Sequence, residues 1–283
     1  MIAGQILFDM LSYASVLLLI VIGLAIVVNM MGIFNFAHGE FVLMGAYVHW
    51  LFIETGWSPW LGIAVAPAAV GALAMVLEIT VIRRFYATPV AAMFGTYAIG
   101  QILRETLRWA IGGVYHAVPE PVQGTWVLAG VTMPYWRLLL IAVALIVLSA
   151  SVLILGRSLL GLRARAALEN PLLARASGMS TGRIYMATFA TGAALAGLAG
   201  ALIVPIYALS ADLGMRFLIQ SFLAILLGGP EMIAGAMAGA GSIGGLSAAL
   251  PWIIPPMISE ILLVIIALTI IRLRPQGLLR RDR

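Results

Sequence analysis

Long apolar runs separated by short polar breaks dominate the chain, with little of the strict alternation that marks a half-buried strand. Runs close to the roughly 20 residues needed to cross a hydrocarbon core recur along it. They predict spans at about 6–28, 40–53, 60–82, 91–111, 138–155 and 184–206. The first run has no preceding basic cluster and is long enough to cross, so it reads as a span rather than a cleavable leader.

The last span in this series carries Gly192, Ala196 and Gly200 at four-residue spacing, a face that lets helix backbones approach closely. Residues 217–271 are less regular. They hold Gly228-Gly229-Pro230, then Gly235, Gly239, Gly241, Gly244 and Gly245, then Pro251, Pro255 and Pro256. Such breaks predict half-helices or re-entrant turns, which membranes tolerate only where protein or a wet cavity surrounds them. The pattern gives an all-α integral membrane protein, a polytopic bundle of about eight or nine transmembrane or re-entrant helices forming a single domain over 1–283.

Composition sharpens this. Hydrophobic residues make up 63% of the 283 and charged residues only 10%, against about 25% charged in soluble domains. Cysteine is absent, which excludes disulfides, thiolate metal sites and cysteine nucleophiles. All 16 basic residues are arginine. A phosphate-binding loop of the Walker type needs a lysine, so any ATP that drives this protein is hydrolysed by another chain. The net charge of +5 is not a nucleic-acid footprint, because the arginines lie mainly in three places: Arg83–Arg84, the stretch from Arg157 to Arg183, and the tail from Arg272. The positive-inside rule makes these three segments cytoplasmic, with the N-terminus outside by parity. The segment 112–136, rich in Gly, Pro, Thr and Val, then becomes an extracytoplasmic loop with a short hairpin, either a plain connector or a docking surface for an external partner.

Two stretches carry candidate chemistry. In Gly32-Ile-Phe-Asn-Phe-Ala-His-Gly-Glu40, the polar residues Asn35, His38 and Glu40 sit between apolar runs. Ionisable groups in a membrane domain are expensive and usually face the bundle interior or a water path. Glycines at 32 and 39 allow the helix to break, exposing N–H groups and a positive dipole end to a polar or carboxylate-bearing solute. The same residues also read as a structural lock, with Asn35 capping a helix and His38 bonded to Glu40. The second stretch is the basic loop at about 156–183. Asn170 and Pro171 form an N-cap with proline at the first helical position, and Gly178 supplies a left-handed stop. A short helix over 171–177 follows, with Leu172, Leu173 and Ala176 on one face and Glu169 and Arg175 as flanking charges. It reads either as an interfacial helix lying on lipid or as a plug for a groove on a cytoplasmic partner.

The phrase Asn35-Phe-Ala-His-Gly-Glu40 with Gly45-Ala-Tyr47 resembles the signature of the permease subunits of branched-chain amino acid ABC transporters. The loop from Arg165 to Gly178 resembles that family's coupling loop, and Ala193-Ala-Leu-Ala-Gly-Leu-Ala-Gly200 and Arg274-Pro-Gln-Gly-Leu-Leu279 match it in order. The chain departs from the family after Leu227-Gly-Gly229, where relatives place Gly-Ser-Ile-Pro-Gly close by and this sequence has Gly241-Ser-Ile-Gly-Gly245 later. The family includes permeases for urea and short amides. The resemblance implies a machine of two permease subunits, identical or homologous, two cytoplasmic ATPases that bind the ATP and magnesium, and an extracytoplasmic solute-binding protein. This chain would then be a non-catalytic subunit of a bacterial inner membrane, with a cytoplasmic C-terminus, no cofactor or metal of its own and no nucleic-acid partner. Asn35, His38 and Glu40 would line the path or hold its broken helix. Glu169 to Arg175 and Gly178 would couple it to the ATPase.

The rival transporter reading is a stand-alone carrier or channel that uses Glu40, Glu78 or Glu105 as an ion site. An intramembrane enzyme would have only His38, His49 and His116 to draw on.

Overall fold

The computed structural model describes residues 2–86, 88–229, 232–274 and 277–279. The Gly228-Gly229-Pro230 break and the Arg274-to-Leu279 ending fall partly outside these residues, at Pro230, Pro275 and Gln276, as do the tail arginines beyond Leu279. The helices are α1 (Ile2–Met31), α2 (His38–Glu54), α3 (Pro59–Thr80), α4 (Pro89–Ile111), α5 (Tyr135–Arg157), α6 (Leu159–Glu169), α7 (Pro171–Ala176), α8 (Thr181–Tyr207), α9 (Leu213–Gly228), α10 (Met232–Ala249) and α11 (Pro256–Leu273). Among the described residues six helical segments are long and apolar enough to cross a membrane: α1, α3, α5, α8, a stretch over Ile233–Trp252 that includes most of α10, and α11. Helix α2, with 17 residues, and α9, with 16, are shorter, and α4 carries Arg104, Glu105 and Arg108.

Local chemistry explains the boundaries. Gly32 takes φ +69° directly after α1, and Gly112 takes φ +75° after α4, conformations that cost a side-chain-bearing residue energy. Pro59 and Pro89 stand in the first turns of α3 and α4, where the missing N–H has no intrahelical partner to lose.

The chain divides into two compact units, with boundaries inside α1, α5 and α9. One comprises Met1–Val21, Glu120–Ser149 and Ile219–Arg283. It holds the hairpin expected in the 112–136 segment, formed by β1 (Thr125–Leu128) and β2 (Val131–Pro134), paired antiparallel with Leu128 opposite Val131. Ala129 and Gly130 both have positive φ, 52° and 78°, as a tight two-residue hairpin turn requires. Gln5 on α1 exchanges hydrogen bonds with Thr132 on β2 at 3.3 and 3.1 Å. Arg137 pairs with Asp9 at 2.8 Å, and the Tyr13 hydroxyl donates to Gln220 at 2.7 Å.

In 217–271 the helices end where the sequence reading placed breaks, α9 at Gly228 and α10 before the prolines that precede α11, but α10 itself runs unbroken through Gly235, Gly239, Gly241, Gly244 and Gly245. Three of its glycines are used for close packing instead. A β-carbon on Gly239 would overlap the Ala224 carbonyl, one on Gly235 would meet the Gly229 carbonyl at 2.9 Å, and one on Gly244 would lie 2.6 Å from Ala14 Cα.

The other unit comprises Ile22–Pro119 and Ala150–Leu218. Helices α2 and α3 both pack along α8. The expected small-residue face of α8 is in use: a β-carbon on Gly192 would sit 2.6 Å from the Gly23 carbonyl, and one on Gly200 would overlap the Val42 carbonyl. Gly197 meets Gly45 of α2 on one side and Val70 of α3 on another. Van der Waals packing at such short separation is what holds helices together where lipid offers no hydrophobic contrast.

Candidate functional site

Residues 32–37 form the non-helical break between α1 and α2 that the sequence predicts. Asn35, His38 and Glu40 are all buried within this turn and the first turn of α2. Asn35 Oδ1 accepts from the Ala37 N–H at 3.0 Å. This is a local Asx turn rather than an N-cap, since Ala37 stands at the cap position. The Phe36 N–H donates to Thr96 Oγ1 on α4 at 3.1 Å, so the break is tied sideways as well as along the chain.

Glu40 finds its charge partner on α4. Arg104 Nη2 donates to Glu40 Oε1 across 64 positions of sequence, and both side chains are buried. Thr96, Gly100 and Arg104, at four-residue spacing, turn one face of α4 toward the break. A β-carbon on Gly100 would lie 3.4 Å from both Ala37 Cα and Glu40 Cγ. Glu40 also sits in the first turn of α2, where the helix dipole favours a negative charge. Helix α9 closes another side: a β-carbon on Gly214 would overlap the Gly39 carbonyl and stand 2.9 Å from Glu40 Oε2. One residue before α9, Asp212 accepts from Arg108 at 2.8 Å, and Arg108 lies 3.6 Å from Glu105.

The basic segment holds two helices where sequence reading expected one. Ser158 caps α6, its hydroxyl accepting from the Gly161 N–H at 3.2 Å. Asn170 Oδ1 accepts from the Leu173 N–H at 2.9 Å, and Pro171 opens α7, which ends at Ala176 rather than Ser177. Gly178 has φ +80° and donates to the Arg175 carbonyl at 2.9 Å, while Met179 N–H reaches the Ala174 carbonyl at 3.0 Å. Arg175 Nε donates to Thr181 Oγ1 at 2.9 Å, fastening α7 to the start of α8. Glu169, Leu172, Leu173 and Ala176 are exposed. On α6, Leu159, Leu160 and Leu162 are exposed too. The two candidate groups are separate, but Leu168 of α6 lies beside the helix break: a β-carbon on Gly32 would meet its Cδ1 at 3.8 Å.

Glu78 sits elsewhere, at the end of α3. Its Oε1 accepts from Arg83 Nε at 3.2 Å and from the Tyr86 hydroxyl, and its Oε2 from Arg83 Nη2 at 2.9 Å. Burial, then the hydrogen bond to Glu78, push the Tyr86 hydroxyl well above the ordinary tyrosine value, so it remains a donor. His49 is buried within α2, and His116 pairs its backbone with Leu209 while its ring lies 4.9 Å from Trp50. Among the described residues no three His, Asp or Glu side chains converge to hold a metal ion.

Sequence reasoning missed Arg104 as the partner of Glu40, the role of Thr96, and α6 as a helix. The spacing Thr96, Gly100, Arg104 was a readable signal for a polar, close-packed face on α4.

Six helical segments of spanning length, with a helix break in one unit that shelters a buried charged pair, define a polytopic integral membrane protein. A family model described as "Branched-chain amino acid transport system / permease component" matches residues 6–271, and the chain belongs to that family. It is 28% identical over 267 residues to the high-affinity branched-chain amino acid transport system permease protein LivH of Escherichia coli (strain K12), covering 87% of this chain and 85% of LivH. BraD of Pseudomonas aeruginosa, a permease protein of the same description, is 26% identical over 289 residues, covering 96% of this chain and 94% of BraD. The probable branched-chain amino acid transport permease protein LivH of Methanocaldococcus jannaschii is 27% identical over 241 residues, with 82% and 76% covered. No solved structure matches the chain.

Proposed function

We propose that this chain is the permease subunit of an ABC importer for branched-chain amino acids or related small polar solutes such as amides or urea. The observation that carries the reading is the family match over residues 6–271. In this reading the whole chain, 1–283, works as one membrane domain of a bacterial inner membrane, with its C-terminus in the cytoplasm. It pairs with a second permease, identical or homologous, receives solute from an extracytoplasmic binding protein, and takes its energy from two ATPase subunits that bind the ATP and magnesium. The chain itself performs no hydrolysis and carries no cofactor. Asn35, His38 and Glu40 border the solute path at the helix break, and α7, with Glu169, Asn170, Pro171, Leu172, Leu173, Arg175 and Gly178, engages the ATPase.

The capped helix α7, with two exposed leucines, supports a docking role. Each carboxylate the stand-alone carrier reading would use has an arginine beside it: Glu40 has Arg104, Glu78 has Arg83 and Glu105 has Arg108. Reconstitution into liposomes tests the reading. The purified chain alone should neither hydrolyse ATP nor accumulate leucine, and the five-part complex should take up leucine only with ATP. Uptake by the pure single subunit would overturn it.

A further inference from the structure

The joint between α6 and α7 is bonded to a third helix. Asn170 stands between the two with φ −147° and ψ 89°, too extended to carry one helix into the next. Pro171, which opens α7, has no N–H. The carbonyl of Ala167, a fully buried residue four positions earlier, therefore lacks the donor that a continuing helix would supply. The Tyr185 hydroxyl takes that place, donating to the Ala167 carbonyl at 3.0 Å. Tyr185 lies on α8 four residues after Thr181, so the two share one face of that helix. Thr181 Oγ1 holds Arg175 of α7, and Tyr185 holds the end of α6. Tyr86 meets the Tyr185 ring edge-on at 5.2 Å. Nearer its start, α6 is fixed to the end of α5, where Arg165 donates to the Leu155 carbonyl.

We propose that Tyr185 is a positioning residue for energy coupling: its hydroxyl bonds the α6–α7 joint to α8, so that a displacement of α7 moves α8 instead of bending the joint. This rests on the transport reading above, in which α7 meets the ATPase. Helices α2 and α3 both pack along α8, and α2 begins at the break. A push on α7 delivered to α8 therefore reaches the helix that carries His38 and Glu40 through closely packed backbone, which transmits displacement because it has little room to yield. Without the hydroxyl, Asn170 becomes a hinge. Helix α7 then rocks with the ATPase while α8 stays in place, and ATP is hydrolysed without a stroke. The Arg175–Thr181 bond does not prevent this, because Arg175 is exposed and its long side chain can follow α7 as it turns. The Tyr185 hydroxyl is carried on a ring with two torsions and acts on the backbone of the joint itself.

The test uses the assembled complex with its binding protein and ATPases in proteoliposomes, and it reads leucine taken up per ATP hydrolysed. Absence of ATP-driven uptake in the wild type would sink the transport reading itself; its presence leaves the inference to be decided by the variants. Tyr185→Phe keeps the ring and its contact with Tyr86 and removes only the hydroxyl. The ATPase should be retained as in wild type, while leucine per ATP falls about threefold or more, the scale of one lost hydrogen bond. Tyr86→Phe is the control. It takes a donor from the buried Glu78 carboxylate but leaves the bond between Tyr185 and Ala167 untouched. Its melting temperature should fall and its leucine per ATP should hold. An unchanged ratio in Tyr185→Phe, or an equal drop in Tyr86→Phe, would reduce Tyr185 to a contact that merely stabilises the fold and would overturn the proposal.

Discussion

Helix α7 offers the sharpest perturbation, because its stability and its exposed surface are separable. Its start depends on one side-chain contact, Asn170 Oδ1 accepting from the Leu173 N–H at 2.9 Å. Removing an N-cap costs about 1 kcal/mol, or roughly a fivefold shift toward the frayed form. Pro171 still presets the first φ, and Gly178 still ends the helix, so Asn170→Ala loosens α7 without abolishing it. Leu172 is 76% exposed and Leu173 63%, so the chain's own fold does not depend on them. Fully burying a leucine contributes about 1.5–3 kcal/mol. Covering the exposed parts of both in a groove then contributes about 3 kcal/mol, or roughly 100-fold in affinity. The assay is a titration of detergent-solubilised permease against immobilised ATPase subunit. Asn170→Ala should weaken binding by up to about fivefold, and the pair Leu172→Asp with Leu173→Asp by about 100-fold or more, while the permease melts at its usual temperature. Unchanged affinity and unchanged solute-stimulated hydrolysis in both would place α7 on the lipid surface and refute the docking argument.

At the break, Asn35→Ala and His38→Ala should lower ATP-driven uptake while assembly persists; normal uptake by both would remove them from the path. Where α2 crosses α8, a side chain at Gly45 would strike the Gly197 backbone. Gly45→Val should therefore cost about 3 kcal/mol or more and cut the yield of folded protein, whereas Gly182→Ala, with open space around it in α8, should be neutral or slightly stabilising by thermal melting. Glu78 is fully buried and Arg83 is 43% exposed, so Arg83→Ala, which strands a buried carboxylate with Tyr86 as its remaining donor, should lower the melting temperature more than Glu78→Gln, which leaves only a guanidinium that water can reach. A larger loss from Glu78→Gln in melting curves would contradict that ordering.

How much the sequence revealed follows from how local each interaction is. The cap at Asn170, the proline at 171 and the stop at Gly178 work within one or two helical turns, and the observed α7 differs from the expected helix by a single residue. The break at 32–37 was legible for the same reason: Gly32 and a polar cluster interrupt two apolar runs. Helix α6 escaped notice because its arginines and leucines give no spanning run, and its cap at Ser158 has no proline to flag it. The glycines of α10 misled because composition alone does not tell a flexible glycine from a close-packed one. Only the neighbours at Ala224, Gly229 and Ala14 decide that, and all three lie outside α10. The Glu40–Arg104 pair was hidden most completely. Local spacing offered His38 as a partner two positions away and gave no pointer to α4. A residue 64 positions on reaches Glu40 because α4 lays Thr96, Gly100 and Arg104 along the break. The charge of the site is therefore a property of the packing of α2 against α4. A bulky substitution at Gly100, which carries no chemistry of its own, should therefore disturb it by pushing α4 away from the break, whereas Gly100→Ala, with its β-carbon 3.4 Å from Glu40 Cγ, should be tolerated.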